Sequence, residues 1–556
     1  MSHLRRCSSH LDMQVREMTL EEKIGQLVMA GFHGTSPSPE ITRLIRDHHL
    51  GGVLLFSRNI ASPTQTARLV SLLQSLAREK GGPNLLVAID QEGGLVARIR
   101  KGAAVHPGNM ALGSVGEASL ARLAGVVTGA ELRAMGVNMN LAPVMDVNIN
   151  PMNPVIGVRS FGEDTACVSR LGVAMIRGLQ QSRVVATAKH FPGHGDTSVD
   201  PHYSLPTVEH GLDRLRMVEL RPFEAAIRAG VRAVMVSHIS FPAVEDQRDL
   251  PASLSERVVS GLLRREMGFF RLILTDCMEM KAVSDRFEAG EAAVRAVRAG
   301  ADLVLISHSF FRQVESLKAL CDAVEVGELQ MERIDRSVRR VLEEKFWLAG
   351  IESSERQVKR RVGSKKHLAI VRRFGRKAVT LLRNPAAVLP FRRPSTRKVL
   401  CVACMKDDGD LEPLSRVFSD EAPKELKVAR MKLPVNPGTD DVRRAIQHGQ
   451  GVDAVVVATT RADLHPGQAG LLGLLGDSSI PLVVISTREP YDLTCAPANA
   501  SLIACYSHAK SSLLGVCDVL LGRVRPAGSL PVTIPNLYPR GYGMKRFWHE
   551  ADRSRP

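Results

Sequence analysis

Residues 189–206 read KHFPGHGDTSVDPHYSLP, with three histidines, one lysine and two aspartates in eighteen positions. Pro192, Gly193 and Gly195 deny regular structure to the segment that follows the apolar run ending at Phe191. Pro201 biases Asp200 towards extended backbone, where residues two apart point the same way, so Asp200 and His202 are expected side by side. A carboxylate that accepts one imidazole N–H leaves the other nitrogen for proton transfer, which suits general acid–base chemistry near neutral pH. Asp276 closes the apolar run LILTD. An anionic carboxylate against apolar walls, with cationic neighbours, can attack an electrophilic carbon. Lys189, Arg98 and Arg159 are candidates for holding polar substrate groups, and Asp90 for gripping hydroxyls. His190 and His194 have a spacing seen in zinc sites. No cysteine joins them and Pro-Gly intervenes, so no metal is expected. On spacing alone, structural histidines at strand ends remain the competing reading.

These residues need a scaffold, and the first 325 residues supply its pattern. Eight short apolar runs recur, at 26–32, 51–56, 84–90, 138–144, 184–191, 233–238, 272–276 and 303–308. Near-continuous apolar strands mark a sheet buried on both faces. Helix-like segments fill most gaps, among them TQTARLVSLLQSLAREK and EASLARLAGVVTGAELRAMG, the latter closing on Gly136. Eight strand–helix units predict a (β/α)8 barrel. Asp90, Lys189, His190, His238, Asp276 and His308 fall at or just beyond strand ends, the rim where such barrels place their chemistry.

Residues 331–348 read as an amphipathic helix closing the barrel, and IESSERQVKRRVGSKK as a polar, basic linker with a solvated surface. Further apolar runs at 398–404, 453–459, 481–486, 501–506 and 529–534 predict a smaller α/β three-layer sandwich around a mainly parallel sheet. The expected division is a catalytic barrel over 14–348, a linker and lead-in over 349–396, and the α/β sandwich over 397–540.

Composition narrows the function. The chain has 556 residues, with 74 Lys and Arg against 58 Asp and Glu, a net charge of +16. Such an excess favours anionic partners (nucleic acid, anionic lipid or acidic polymer) or serves solubility alone. Aromatic residues are only 4 %, which argues against base-stacking platforms, and no nucleic-acid partner is expected. Nine irregularly spaced cysteines do not make a disulfide framework, and Cys401 and Cys404 lie in an apolar strand-like run. The first eighteen residues lack the apolar core of a signal peptide, and no run approaches the ~18 apolar residues of a membrane span. A reduced, cytoplasmic protein without a membrane span is expected.

The segment KHFPGHGDTSVDPH closely resembles the signature of the bacterial β-N-acetylglucosaminidases of glycoside hydrolase family 3, of the two-domain type. MTLEEKIGQLVMAGF, AIDQEGGLVARI, NMNLAPVMDVN, NPVIGVRSFGED and LILTDCMEMKAV are similar to that family's segments in its order, and STREPYDL through LLGRVRPAGSLPVTIP to its C-terminal domain. The resemblance implies that Asp276 is a catalytic nucleophile and His202 the acid/base, with Asp200 orienting that histidine. It implies that Asp90, Arg98, Arg159, Lys189 and His190 bind a terminal N-acetylglucosamine. It further implies retention through a covalent glycosyl-enzyme, no cofactor or metal, and muropeptide or chitooligosaccharide substrates. A phosphorylase and a catalytically silent cell-wall-binding protein are the alternatives. Pro201 stands where the family commonly has a small hydroxyl residue, Arg271 where it has glycine, and Cys277 and Glu279 also depart from its pattern. Cys277, next to Asp276, is expected to be a point of oxidative inhibition.

Overall fold

The computed structural model describes residues 11–350, 353–391, 396–406 and 411–547. Residues 1–10, part of the segment read as lacking a leader, and residues 351–352 and 392–395 of the expected linker lie outside them. Eight parallel strands close the barrel in the order β1-β8-β7-β6-β5-β4-β3-β2. They are β1 (Val28–Gly31), β2 (Gly52–Leu55), β3 (Leu86–Ile89), β4 (Met139–Asn140), β5 (Val185–Phe191), β6 (Ala233–Val236), β7 (Leu272–Cys277) and β8 (Leu303–Ile306). Each falls within or nearly within its expected run.

The intervening helices carry the stop and start signals of the sequence. Ser62 caps the helix Pro63–Arg78, its hydroxyl accepting from the Gln65 N–H at 3.2 Å, with Pro63 pre-set at the first turn. The helix Ala118–Ala134 is followed by Gly136 at φ +81°, the left-handed turn only glycine adopts freely. Met29, Leu86, Met139, Val185, Met235 and Leu274 fill the barrel interior, and Val341 and Leu348 join that cluster. Because Val341 lies on the helix Met331–Trp347, this helix plugs the N-terminal end of the barrel and leaves the C-terminal rim open.

The second sheet has six strands: β9 (Thr380–Arg383), β10 (Lys398–Cys404), β11 (Lys427–Leu433), β12 (Ala454–Thr459), β13 (Leu482–Ser486) and β14 (Ser501–Ala504). Their order is β9-β14-β13-β12-β10-β11, with β9 antiparallel and the rest parallel. Separate apolar cores cover its two faces, and one includes Met110, Ala111 and Val158 from the barrel half, so the two units share packing.

Three readings are corrected. Residues 529–534 do not form a strand of the sheet; the Glu163 N–H donates to the Pro531 carbonyl and Glu163 in turn accepts from the Thr533 N–H, strapping the segment to the barrel. β9 and β11 were not anticipated. β11 carries polar residues along an exposed edge, and β9 begins only two residues after the last residue of the helix Lys365–Ala378. The basic stretch after the barrel is helical over Glu355–Arg361 and Lys365–Ala378, because Ser354 and Ser364 supply the caps that its polar composition disguises.

Asp302, at the entry to β8, is fully buried and ties the barrel seam to its closing helix. It accepts from the Ile273 N–H of β7 at 2.9 Å and pairs with Arg340 at 2.9 Å and with Arg264. Burial would raise its carboxyl, but Arg264, Arg340 and Arg333 hold it below the usual carboxylate range. Asp302→Asn leaves these guanidiniums uncompensated and is expected to cost about 3–5 kcal/mol, read as a lowered urea midpoint. A depressed folded pKa means that the Asp302 contribution is present at neutral pH and fades only as pH falls through that value.

Candidate active site

The C-terminal rim surrounds a cavity of about 490 Å³ lined by Asp90, Glu92, Arg98, Arg159, Lys189, His190, Pro201, His202 and Asp276, among others. All eight site residues expected from the sequence are therefore at this place or, for Asp200, directly behind it. The volume suits a small organic ligand.

The floor is an alternation of charges. Lys189, 2 % exposed, projects from β5 and places its Nζ 2.8 Å from Asp90 Oδ1 and 2.7 Å from Glu92 Oε1. Arg98 holds the other Asp90 oxygen at 3.1 Å. Arg159 grips Glu92 with two bonds, at 3.0 and 2.9 Å. Burial opposes ionisation of both carboxyls. Lys189 and Arg98 nonetheless keep Asp90 far below its usual range, and Arg159 with Lys189 holds Glu92 at about 2. Burial also opposes the Lys189 charge, and Asp90 and Glu92 outweigh it, raising the ammonium above its ordinary value.

The histidines are fixed by what their partners can do. Asp146 can only accept from His190 Nδ1, at 2.8 Å, and Arg159 Nη2 can only donate to His190 Nε2, at 3.3 Å. His190 is thus set as the Nδ1–H tautomer. His238 Nε2 lies 2.9 Å from the Cys277 carbonyl, so it carries the proton and its Nδ1 accepts from the Ser253 hydroxyl at 2.7 Å. Asp276, at the end of β7, accepts from the Cys277 N–H at 2.8 Å. Burial would raise its carboxyl; the His190 and His238 rings and that N–H bring it below its ordinary value. Among the described residues no lysine or arginine forms an ion pair with Asp276.

His202 Nδ1 lies 2.7 Å from Asp200 Oδ1, leaving Nε2 for proton transfer, and the side chain is 63 % exposed. The pair meets through a turn rather than strand alternation: Asp200 Oδ1 also accepts the His202 main-chain N–H at 2.8 Å, and the Tyr203 N–H returns to the Asp200 carbonyl at 2.9 Å. Pro201 occupies the turn position its ring pre-sets, and its carbonyl accepts from the Ala282 N–H at 3.1 Å. That single bond docks the His202 turn on the segment just after Asp276.

Glu92 and Asp146 escaped the sequence reading. Glu92 lies two residues after Asp90, and Asp146 follows β4 in the run NLAPVMDVN; a carboxylate just past a strand end was the available signal. Arg271 lies at the opposite end of the barrel, 3.7 Å from Glu344, and does not touch the cavity. Glu279 is structural at this rim, accepting the N–H groups of Ser307, His308 and Ser309 at 2.7, 2.7 and 2.8 Å. Together with Cys277 and His308 it forms a group with metal-ligand proximity. Its oxygens are taken, Arg58 stands 3.2 Å from His308 Nδ1, and burial pushes the Cys277 thiol up to about 12, so this set is poorly suited to a cation.

The same burial opposes the expected oxidative sensitivity of Cys277, because the thiolate is the reactive form. Iodoacetamide at pH 8 is expected to leave Cys277 unlabelled in the folded protein and to label it fully in urea, read by peptide mass spectrometry. Labelling of the folded protein at the rate of an exposed thiol would overturn this.

Known proteins share this arrangement of domains. Residues 19–343 match the glycosyl hydrolase family 3 N-terminal domain. A β-hexosaminidase A from Pseudoalteromonas piscicida is 30 % identical, covering 95 % of this chain and 99 % of its own. A β-N-acetylglucosaminidase/β-glucosidase from Cellulomonas fimi is 29 % identical over 93 % of this chain and 94 % of its own. The solved structure of a glycoside hydrolase family 3 β-N-acetylglucosaminidase from Paenibacillus sp. str. FPU-7 superposes with a TM-score of 0.87 at 41 % identity, covering 93 % of this chain and 99 % of that one. With the barrel, the second sheet and the carboxylate-lined rim in place, these matches establish that the chain belongs to glycoside hydrolase family 3 and is a glycosidase.

Proposed function

We propose that the protein is a retaining exo-β-N-acetylglucosaminidase that removes non-reducing terminal N-acetylglucosamine from muropeptides or chitooligosaccharides. The observation that carries this reading is the meeting, at one cavity, of Asp276, which among the described residues forms no ion pair with a lysine or arginine, and a His202–Asp200 pair on a turn docked beside it. The names of the relatives from Pseudoalteromonas, Cellulomonas and Paenibacillus support the sugar.

Asp276 attacks the anomeric carbon as the glycosidic C–O bond breaks, and the departing oxygen takes the proton from His202 Nε2. A glycosyl–Asp276 ester results. His202 Nε2 then accepts a proton from water, whose oxygen attacks the same carbon and releases Asp276 as a carboxylate. Asp200 stabilises the imidazolium whenever His202 holds both protons. The usual second carboxylate of such enzymes is here an imidazole. Asp90, Arg98, Arg159, Lys189 and His190 hold the sugar, their charged groups already paired with one another or with Glu92 before it arrives. Lys281 lines the mouth and, among the described residues, has no carboxylate partner, which supports an aglycone carrying a carboxylate, as muropeptides do.

A phosphorylase is the second reading, since a neutral imidazole sets no negative charge against incoming phosphate. Product analysis with and without phosphate separates the two: free N-acetylglucosamine in both is expected, and N-acetylglucosamine 1-phosphate would select the phosphorylase.

Asp276→Ala is expected to lower kcat on 4-nitrophenyl β-N-acetylglucosaminide by roughly 10⁴-fold or more. His202→Ala should cost roughly 10²–10⁴-fold on a disaccharide and much less on the aryl glycoside, whose leaving group needs no proton. Because the Asp276 pKa is lowered on folding, the carboxylate persists below its ordinary range. The acid limb of kcat/KM for the aryl substrate should therefore lie below the ordinary aspartate range; a midpoint above that range would contradict the assignment.

A further inference from the structure

The surplus positive charge is unevenly relieved. Asp90, Glu92 and Asp302 pair with the buried cations around them, and at the N-terminal end of the barrel, opposite the cavity, Lys80 pairs with Asp47, Arg46 with Glu79 and Arg216 with Glu266; one part of that end is different. Arg133 stands ahead of β4, Arg183 ahead of β5, and Arg361 ends the helix Glu355–Arg361. Among the described residues none of the three pairs with a carboxylate. They crowd one another: burial first, then the charges of Arg183 and Arg361, weaken the hold of Arg133 on its proton.

Aromatic side chains, scarce in this chain, are exposed at the same end. Phe270 is 67 % exposed and Phe346 is 52 % exposed. Arg340 donates to the Phe270 carbonyl at 3.2 Å, which sets the last turns of the closing helix, with Phe346 and Trp347, beside it. The Trp347 ring is covered by Arg183 at 5.0 Å and Arg232 at 4.0 Å. The carboxylates near this patch are taken: Glu344 is buried and held by Arg232 at 2.5 Å, with Arg271 at 3.7 Å, Glu343 pairs with Arg339 at 3.2 Å and Glu266 with Arg216 at 2.7 Å.

Unpaired arginines around exposed aromatic rings are the arrangement that suits a bilayer interface, where rings sit at headgroup level and cations reach lipid phosphates. A nucleic-acid duplex would use the arginines but has no place for two exposed phenylalanines. We propose that this face docks the protein on an anionic lipid bilayer. The plug of the closing helix turns the catalytic mouth away from that surface and towards the soluble side.

The test uses the full chain with vesicles of phosphatidylcholine containing about a third phosphatidylglycerol, against phosphatidylcholine alone. Expected is co-sedimentation with the anionic vesicles only, falling as salt rises. Arg183→Gln with Arg361→Gln should weaken binding by roughly fivefold per charge. Phe270→Ser with Phe346→Ser should weaken it without changing its salt dependence. Turnover of a soluble aryl glycoside serves as the folding control and should not change in either variant; if one variant misfolds, the other and the wild-type lipid and salt dependence decide. Equal binding to neutral vesicles, unchanged binding in both variants, or tighter arginine-dependent binding to duplex DNA than to anionic vesicles would each overturn the proposal.

Discussion

Five buried or half-buried charges at one barrel rim, two carboxylates and three cations, must each find a partner of opposite sign before any ligand arrives. Asp90 and Glu92 stand against Lys189, Arg98 and Arg159, and every contact in this lattice is between opposite signs. Taking a single such ion out of water costs several kcal/mol unless it is paired and hydrogen-bonded. Completeness is therefore a condition of folding as well as of binding. It also fixes geometry: a lattice in which Lys189 bridges two carboxylates cannot rotate one member without stranding another. Sugar hydroxyls then meet dipoles and charges already in place, which lowers the reorganisation needed when charge develops. By contrast, Asp276 is kept ionised by imidazoles and an N–H, so its oxygens are not committed to a guanidinium or ammonium.

The strand ends alone do not build that lattice; a short two-stranded ribbon, Gln91–Gly93 with Val96–Ala97, carries Glu92 and leads into Arg98. Gln91 holds it together. Its side chain donates to the Ile99 carbonyl at 2.9 Å and accepts from the Arg98 and Ile99 N–H groups at 2.9 and 3.1 Å. Asn140, ending β4, pairs with the Gln91 main chain at 3.0 Å in both directions. The ribbon's turn needs Gly93, at φ +86°, where an added Cβ would stand 2.2 Å from the His106 ring. Two amides and a glycine thus convert sequence-local residues into a wall of the cavity.

The sequence made the barrel legible because each strand is an apolar run with both faces buried, and the polar residues at their ends stand out against it. Asp90, Lys189 and Asp276 were visible for that reason. Glu92 was not, since its role depends on how the ribbon folds back. The second sheet was half legible. Its four recognised strands, β10, β12, β13 and β14, are apolar but for one polar residue at an end, whereas β11 is an edge whose polarity hides it and β9 follows the helix Lys365–Ala378 after a single residue, so its apolar run merges with the helix pattern. Asp200 and His202 were paired for the wrong local reason. An Asx turn and an extended strand both bring residues two apart together, and only the main-chain N–H bond to Asp200 distinguishes them.

The proposed acid/base pair, His202 with Asp200, differs from the lattice in kind. Lys189 and Glu92 are sealed among partners, while His202 is exposed and its turn is joined to the segment after β7 through the Pro201 carbonyl. In the proposed reaction, a group that gives a proton in one half-reaction and takes one in the next needs access to water and a ring free to meet two different oxygens. Burial of the kind that serves Lys189 would deny it both. The carboxylate of Asp200 supplies what burial cannot, fixing the tautomer locally while the loop stays at the surface. Rigid electrostatics on the strands and an exposed imidazole on a turn thus answer the two requirements of the proposed reaction. They are joined at the Ala282 N–H, six residues along the chain from Asp276.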